Sequence, residues 1–535
     1  MHTLISPYDG TLVDLTVNAE SPTLQQAGGL PSIKLDMAMQ SDLALLLTGA
    51  YSPLTGYMGQ TDYLSVLNHL RLANGLVWAL PLTLVIPLRL AQTLQLGQQI
   101  TLCNHRNVPI AVLDVSEIYK ADIALEAQQL GISLEFASGQ KWYVAGSVTG
   151  LIPNKRYDFS DLWHTPAQLR EKLLQLGWGQ VVAYQSAQPL QRAVQEFIVR
   201  VAMQNQAGLL VQPMAGGYAP ERSDYYPLVR SYQAVMQRLP GLTSILSLSP
   251  NYPRRGGVRE TLHRAIMVRN YGCSHLVVGG EPSGDGQSRR GSDVLDSQQY
   301  QQVDQHIKEI GVGLIPFPRM VYVEERAQFL PLEEAPREAS KHVLNTDEVK
   351  RRLHAGLAIP DWYAFPEVMK EMRLAYLPRS ASGLTIMITG LGNAGQIALA
   401  QALQQVLMAK GGRNVTIIDD ELLTQSISMA SRHACTGTLA AEITRHGGIA
   451  ICATRSDTNA MRREIRKKVQ THGGYLEIYL TAPAAAPSVP TAAGNGGGFY
   501  EIPEQPDLVM DTAGSNIEQM LHAVILKLTQ EGYLS

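Results

Sequence analysis

The stretch "VVAYQSAQPLQRAVQEFIV" (181–199) decides the fold. Its first half is a short apolar run with the density of a buried strand. Pro189 then stands where a first helical residue is expected, and Leu190, Val194, Phe197, Ile198 and Val201 recur at helical spacing. A helix that starts directly after a buried strand offers free backbone N–H groups and a positive dipole end, which together can hold a phosphate. The same alternation continues outward through "GLLVQPM" (208–214), "SILSLS" (244–249) and "SHLVVGG" (274–280). Buried strands alternating with amphipathic helices predict a mostly parallel sheet covered on both faces.

Three further regions flank this α/β unit, which is assigned to 156–325. Residues 1–155 carry short β-like runs such as "TLVDL" and "LPLTLVIPL" between Gly and Pro punctuation, so a compact β-rich domain is expected. Residues 326–373 read as a small, charged helical extension ending in "IPDWYAFPEV", followed by the linker "LAYLPRSASG". From 383 to 535 a second strand series appears: "LTIMITG", "NVTIID", "GIAICAT", "YLEIYLT" and "DLVMDT". The tract 482–498, "APAAAPSVPTAAGNGGG", lacks the bulk to pack and is expected to be a flexible loop.

The chain of 535 residues has 45% apolar and 17% charged residues and a net charge of -3, an ordinary composition for a soluble globular protein. That balance calls for neither nucleic acid nor an anionic membrane as partner. The most apolar run is short and broken by Pro81 and Pro87, so an unanchored, cytoplasmic protein is expected. Cys103, Cys273, Cys435 and Cys452 form no C-x-x-C pair, and His263, His275, His342 and His354 share no ligand spacing, so no metal site is expected. The run "RREIRKKV" (462–469) reads as a solvated helix face, and Ser52 in "YSPLTGY" lacks a G-x-S-x-G elbow.

On the loop 184–194 the sequence resembles ATP sulfurylase (sulfate adenylyltransferase), whose pattern there is Q-T-R-N-P-x-H-R-A-H. Gln185, Pro189, Arg192 and Ala193 match, and Ser186 replaces threonine. The sulfate-holding arginine of the family is Ala187 here, the asparagine is Gln188, and the two phosphate-handling histidines are Gln191 and Val194. The stretches 42–84, 157–185, 256–280 and 349–368 follow the same family. Membership implies a PUA-like N-terminal domain and a Rossmann-like, nucleotidyltransferase-like α/β domain. Where the family has G-R-D-H-A-G, the chain has "GGEPSG" (279–284), with Gly279 and Ser283 as the remaining candidates and Gly280 in place of the arginine. Arg254 and Arg259 persist in "PRRGGVRE", with Arg255 added, and are candidate anion ligands beside Gln185.

The C-terminal unit resembles APS kinase, on "EITRHGGIAICATRSDTNAMRREIRKKV" (442–469) and "PDLVMDT" (506–512). "GLGNAGQI" has the frame of the P-loop G-x-x-x-x-G-K-[ST], with Gly390 and Gly395 at the glycine positions. Gln396 replaces the phosphate-binding lysine and Ile397 the magnesium-binding hydroxyl residue. The family's L-D-G-D is "IDDE" (418–421), its D-x-N-x-R-R segment has no counterpart, and its lid is replaced by the 482–498 tract. A P-loop kinase-like fold is implied, without the side chains that ATP and magnesium need.

Both units keep their frames while losing ligand-handling side chains. The expectation is a catalytically impaired homologue acting as scaffold, regulator or partner of an active sulfur-metabolism enzyme, with no assigned cofactor. The alternatives are a divergent nucleotidyltransferase with another substrate, using Gln185, Gln188 or Gln191, or residual sulfate adenylyltransferase activity; APS kinase activity is not expected. The resemblance also implies a homo-oligomer.

Overall fold

The computed structural model describes residues 3–17, 29–131, 141–151, 158–216, 225–239, 243–254, 257–279, 297–390, 395–424, 432–454, 456–481 and 500–534. Two compact units form. The first comprises residues 1–350 and 359–375, the second 351–358 and 376–535.

The first unit opens with a mostly antiparallel sheet. Its strands are β1 (Thr16–Val17), β2 (Ser32–Lys34), β3 (Gly56–Tyr57), β4 (Leu84–Ile86), β5 (Gln99–Cys103), β6 (Pro109–Lys120) and β7 (Trp142–Leu151), in the order β1-β7-β6-β5-β2, with β3 and β4 also on β7. A register shift between Val115 and Glu117 interrupts the long β6–β7 pairing. One extra residue on one strand bends the pair, which lets a long ribbon curl around a core. "TLVDL" is not a strand: pairing begins only at Thr16, against Gly150.

The parallel sheet follows as β8 (Val181–Ser186), β9 (Gly208–Pro213), β10 (Ser244–Leu246), β11 (His275–Val278) and β12 (Gly313–Pro316). Its order is β10-β9-β8-β11-β12, so the winding reverses between β8 and β11. A crevice at the carboxyl ends of the strands forms at such a reversal, and ligands bind there in open α/β sheets. The loop read first, after β8, and Gly279, after β11, flank this point.

The helix Gly257–Asn270 is buried almost all round, from Glu260 to Val268. It lies in one apolar core with β-rich-domain residues such as Leu45, Trp78 and Ile100 and with sheet residues such as Val181, Leu210 and Leu276. A helix enclosed in this way must find internal partners for each polar side chain it carries. Asn270 does so by donating to the carbonyls of Ala50 (3.0 Å) and Ser52 (3.1 Å) and accepting from the Tyr8 N–H (2.9 Å).

Two local expectations fail. The segment 326–373 is not wholly helical: β13 (Met320–Val323) pairs antiparallel with β14 (Gln328–Pro331) and β15 (Lys341–His342), and helices come only at Thr346–His354 and Pro366–Ala375. In β14 Gln328 is exposed, Phe329 buried, and Leu330 and Pro331 half-buried, so the strand carries no clean alternation for the sequence to reveal. Pro189 is not the first helical residue either. The helix runs Arg192–Gln204 with Gln191 as N-cap in an extended conformation, because Leu190 is drawn into the core first.

The second unit is a parallel sheet of β16 (Leu384–Gly390), β17 (Val415–Asp419), β18 (Ile449–Ala453), β19 (Gly474–Thr481) and β20 (Leu508–Asp511), ordered β17-β18-β16-β19-β20. Helices Gln396–Lys410 and Ile517–Gln530 join one core with Ile386 and Ile388, while Met387 faces another with Ile465 and Val469. No described helix is long and apolar enough to cross a membrane. The 482–498 tract lies outside the described residues.

Candidate functional site

At the carboxyl end of β8, Gln185 is 2% exposed and its carboxamide does not face open space. Its Nε2 donates to Gln212 Oε1 on β9 (2.7 Å), while Arg264 donates from Nε to Gln185 Oε1 (3.2 Å) and from Nη2 to the Gln185 carbonyl (2.8 Å). The chain of donors therefore runs Arg264 to Gln185 to Gln212, and Arg264 is itself buried. Ser186 accepts from the Gln188 N–H (2.9 Å), and Tyr232 donates to the Gln188 carbonyl (2.7 Å), which pins the turn. Ala187, Gln188 and Gln191 are half-buried, and Gln191 makes no side-chain cap.

The helix N-terminus that would face an anion is partly used by the protein. The Arg192 N–H donates to the Tyr363 carbonyl (3.1 Å). The Arg192 guanidinium lies 5.2 Å from the Phe365 ring centroid, pairs with Glu196 (3.6 Å) and reaches the Asp361 carbonyl (3.4 Å). This arginine thus ties the helix to the 359–375 segment. Val194 is buried with Phe197, Ile198 and Val201, so the position that carries a histidine in the resemblance belongs to the core stripe here.

The two arginines expected as anion ligands are occupied elsewhere. Arg254 pairs with Asp42 through Nη2, approaches the Tyr51 hydroxyl (3.2 Å) and lies 4.6 Å from the Tyr252 ring centroid. Burial opposes its charge most strongly, but Asp42, Tyr51 and Tyr252 together outweigh it and raise its pKa. Arg259 donates from Nη1 to the carbonyls of Val66 (3.0 Å) and Ala79 (2.8 Å), and from Nη2 to the Leu67 carbonyl (2.6 Å) and Gln129 Oε1 (3.4 Å). Val66 and Leu67 lie in the last turn of helix Gln60–His69, where a cation is favoured, and the Val66 carbonyl also accepts the Leu70 N–H (3.2 Å). The four terminal N–H bonds of Arg259 thus each meet a protein acceptor. Gly279 is placed at φ +85 after β11, whereas Ser283, Gly280 and Arg255 lie outside the described residues.

His263 is enclosed beside this cluster. Tyr51 donates its hydroxyl hydrogen to Asp42 (2.7 Å), so the contact of 3.1 Å between His263 Nε2 and Tyr51 Oη requires a hydrogen on Nε2. Nδ1 is then a buried acceptor with no donor. Burial, helped by the Arg254 charge, pushes the His263 pKa well below its ordinary value.

In the second unit, Gly390 ends β16 where an added Cβ would lie 2.6 Å from the Leu480 carbonyl oxygen, and Gly395 has φ +82 at the helix start. Close approach demands the first glycine and a left-handed backbone the second. Gln396 bends back and donates from Nε2 to the Gly390 carbonyl (2.8 Å), while Ile397 is half exposed. Asp419 accepts from the Leu422 N–H (2.8 Å) and so caps the next turn. Arg462 and Arg466 flank the buried Glu477 at 3.3 and 2.9 Å, so part of the "RREIRKKV" run is internal rather than solvated. Cys452 is buried, which pushes its thiol up to about 12 and leaves no thiolate near neutral pH.

Arg264 and Gln212 were not legible as site residues. Only the placement of Arg264 among apolar neighbours in "TLHRAIMV" hinted that it needs a buried partner.

Comparison with known proteins accords with this architecture. Residues 160–375 match the ATP-sulfurylase family, 5–151 the PUA-like domain and 382–489 the adenylylsulphate kinase family. The chain is 33% identical to the sulfate adenylyltransferase of Yarrowia lipolytica and 32% identical to that of Phaeosphaeria nodorum, each over 99% of both chains. Among solved structures it is similar to a hexameric APS kinase from Thiobacillus denitrificans, with 37% identity and a TM-score of 0.81 over 99% of this chain and 100% of that one. The chain belongs to the bifunctional ATP sulfurylase/APS kinase family.

Proposed function

We propose that this member of the sulfate-activation family is catalytically impaired in both units and serves as a homo-oligomeric scaffold or regulator of sulfur metabolism. The observation that carries this is the fate of the cations at the β8 crevice. Arg192, Arg254, Arg259 and Arg264 are all bonded to protein groups. Ala187 and Val194 offer no charge.

Adenylyl and phosphoryl transfer depend on positioning and on charge aimed at the developing anion. Removing one such donor costs about 10²- to 10³-fold in rate, and the losses here fall together within one site. At the P-loop, Gln396 supplies a neutral donor to Gly390 where a lysine would carry charge to a phosphate. Gln188 and Gln191 are uncharged and half-buried at the crevice, which favours a neutral or weakly charged ligand as the second reading.

Pyrophosphate exchange with ATP and sulfate, run beside an active family enzyme, tests the reading. Exchange at a comparable rate would defeat it. Calorimetry with ATP, APS and sulfate then separates a regulator, which binds without turnover, from a scaffold, which does not bind.

A further inference from the structure

Arg264 fixes the direction of the donor chain at the crevice. A guanidinium can only donate, so the Gln185 carboxamide must turn its oxygen to Arg264 Nε (3.2 Å) and its nitrogen to Gln212 (2.7 Å). Gln212 therefore gives its oxygen to Gln185 and keeps Nε2 as a donor. Turning the Gln212 amide over would set two amide nitrogens against each other, so that donor cannot be hidden. It is buried, it meets no acceptor, and its side chain is 0% exposed. A second unmatched atom lies beside it. Met214 follows Gln212 by two positions and bridges to Ser249, so both side chains stand on one face of the extended chain. Asn251 Nδ2 reaches only the weakly accepting Met214 sulfur, at 3.6 Å, and Asn251 Oδ1 is buried without a donor.

Buried polar atoms are ordinarily matched, because an unmatched one keeps its whole desolvation cost. Here an unmatched donor and an unmatched acceptor flank one flexible thioether at the carboxyl end of β9, next to the strand where the winding reverses. We infer that this place is a subsite for a primary carboxamide, whose oxygen accepts from Gln212 Nε2 and whose nitrogen donates to Asn251 Oδ1 once Met214 turns aside. Charge decides against a carboxylate. Gln212 offers one neutral N–H, Asn251 Oδ1 repels a second oxygen, and Ala187 and Val194 bring no cation, so the cost of burying an ion is not recovered. A ketone would satisfy Gln212 and leave Asn251 unmatched. The inference rests on the reading of the crevice as a site for a neutral ligand and names the group that such a ligand would present.

Three probes of one shape test it on the full-length chain. Benzamide carries the carboxamide, benzoate replaces it by a charge, and acetophenone keeps the carbonyl without an N–H. Saturation-transfer NMR should give benzamide a Kd at least ~10-fold below those of the other two. Gln212→Met, which keeps the length of the side chain, should weaken benzamide at least ~5-fold, and Asn251→Ala should bring it to the level of acetophenone. Circular dichroism and a thermal melt check the fold of each variant, and if Gln212→Met does not fold, Asn251→Ala carries the same test. Benzamide binding that is equal in the wild type and the variants would overturn the subsite and leave the neutral-ligand reading intact. Failure of all three probes to bind would likewise overturn the subsite alone. Benzoate binding as tightly as benzamide would sink both.

Discussion

Replacing Arg259 by Met should lower the stability of the first unit by about 3 kcal/mol and leave ligand binding unchanged. In the wild type, the guanidinium satisfies the Val66, Leu67 and Ala79 carbonyls at 3.0, 2.6 and 2.8 Å and lies across the end of helix Gln60–His69. Hydrogen bonds to a charged group are worth roughly 1.5–3 kcal/mol each, and a plain sum over three would give about 4.5–9 kcal/mol. Two effects reduce that figure. Arg259 is only half-buried, so water replaces part of what is lost, and bonds to one head group are not independent. About 3 kcal/mol remains, at the upper end of ordinary single substitutions. All five tryptophans, Trp78, Trp142, Trp163, Trp178 and Trp362, lie in the first unit, so tryptophan fluorescence during urea unfolding reports on that unit alone. Arg259→Lys should recover part of the loss, since a lysine supplies the charge without the fork geometry. A stability change below about 0.5 kcal/mol, or a loss of ATP or sulfate binding with stability intact, would return Arg259 to the role its motif suggested.

Three further outcomes are expected. His263 is held neutral by burial, with a pKa depressed below the unfolded value of about 6.5, so the unfolded state binds more protons below that pH; the first unit should lose about 1 kcal/mol per pH unit as pH falls from roughly 6.5 to 5, and His263→Phe should flatten the slope measured by urea titration. Arg462→Met leaves Glu477 short of a buried partner and should cost the second unit about 3 kcal/mol by calorimetry, with partial recovery in Arg462→Met/Glu477→Gln. Gln396→Lys/Ile397→Thr places a charge and a hydroxyl at the start of helix Gln396–Lys410 and should raise affinity for magnesium ATP at least ~10-fold, read by calorimetry, since one charge-assisted bond is worth ~1.5–3 kcal/mol.

Much of the architecture was legible because it is written in local patterns. The apolar runs at 181–186, 208–213, 384–390 and 449–453 became buried parallel strands, since a strand covered on both faces must be apolar throughout. Gly390 and Gly395 marked the P-loop frame for steric and conformational reasons that act within a few residues. The short strand Gln328–Pro331 escaped notice because Phe329, Leu330 and Pro331 are apolar in a row, with Phe329 alone buried, so no two-residue alternation marks it.

By itself, then, the sequence determined the strand-and-helix series of each unit, the family, and which of the family's charged side chains are absent from 184–194 and 390–397. Those properties depend on residue identity at short spacing. Only the tertiary structure decided what the remaining charges do. Arg254 meets Asp42 and Arg259 meets Val66 and Leu67, partners more than 190 positions away in the chain, and Arg264 reaches Gln185 across 79. A guanidinium in the interior is held by whichever acceptors the fold brings to it, and burial makes an unmatched one too costly to keep. No local pattern carries that information, because the β-rich domain, the buried helix Gly257–Asn270 and the parallel sheet meet only when the chain has folded.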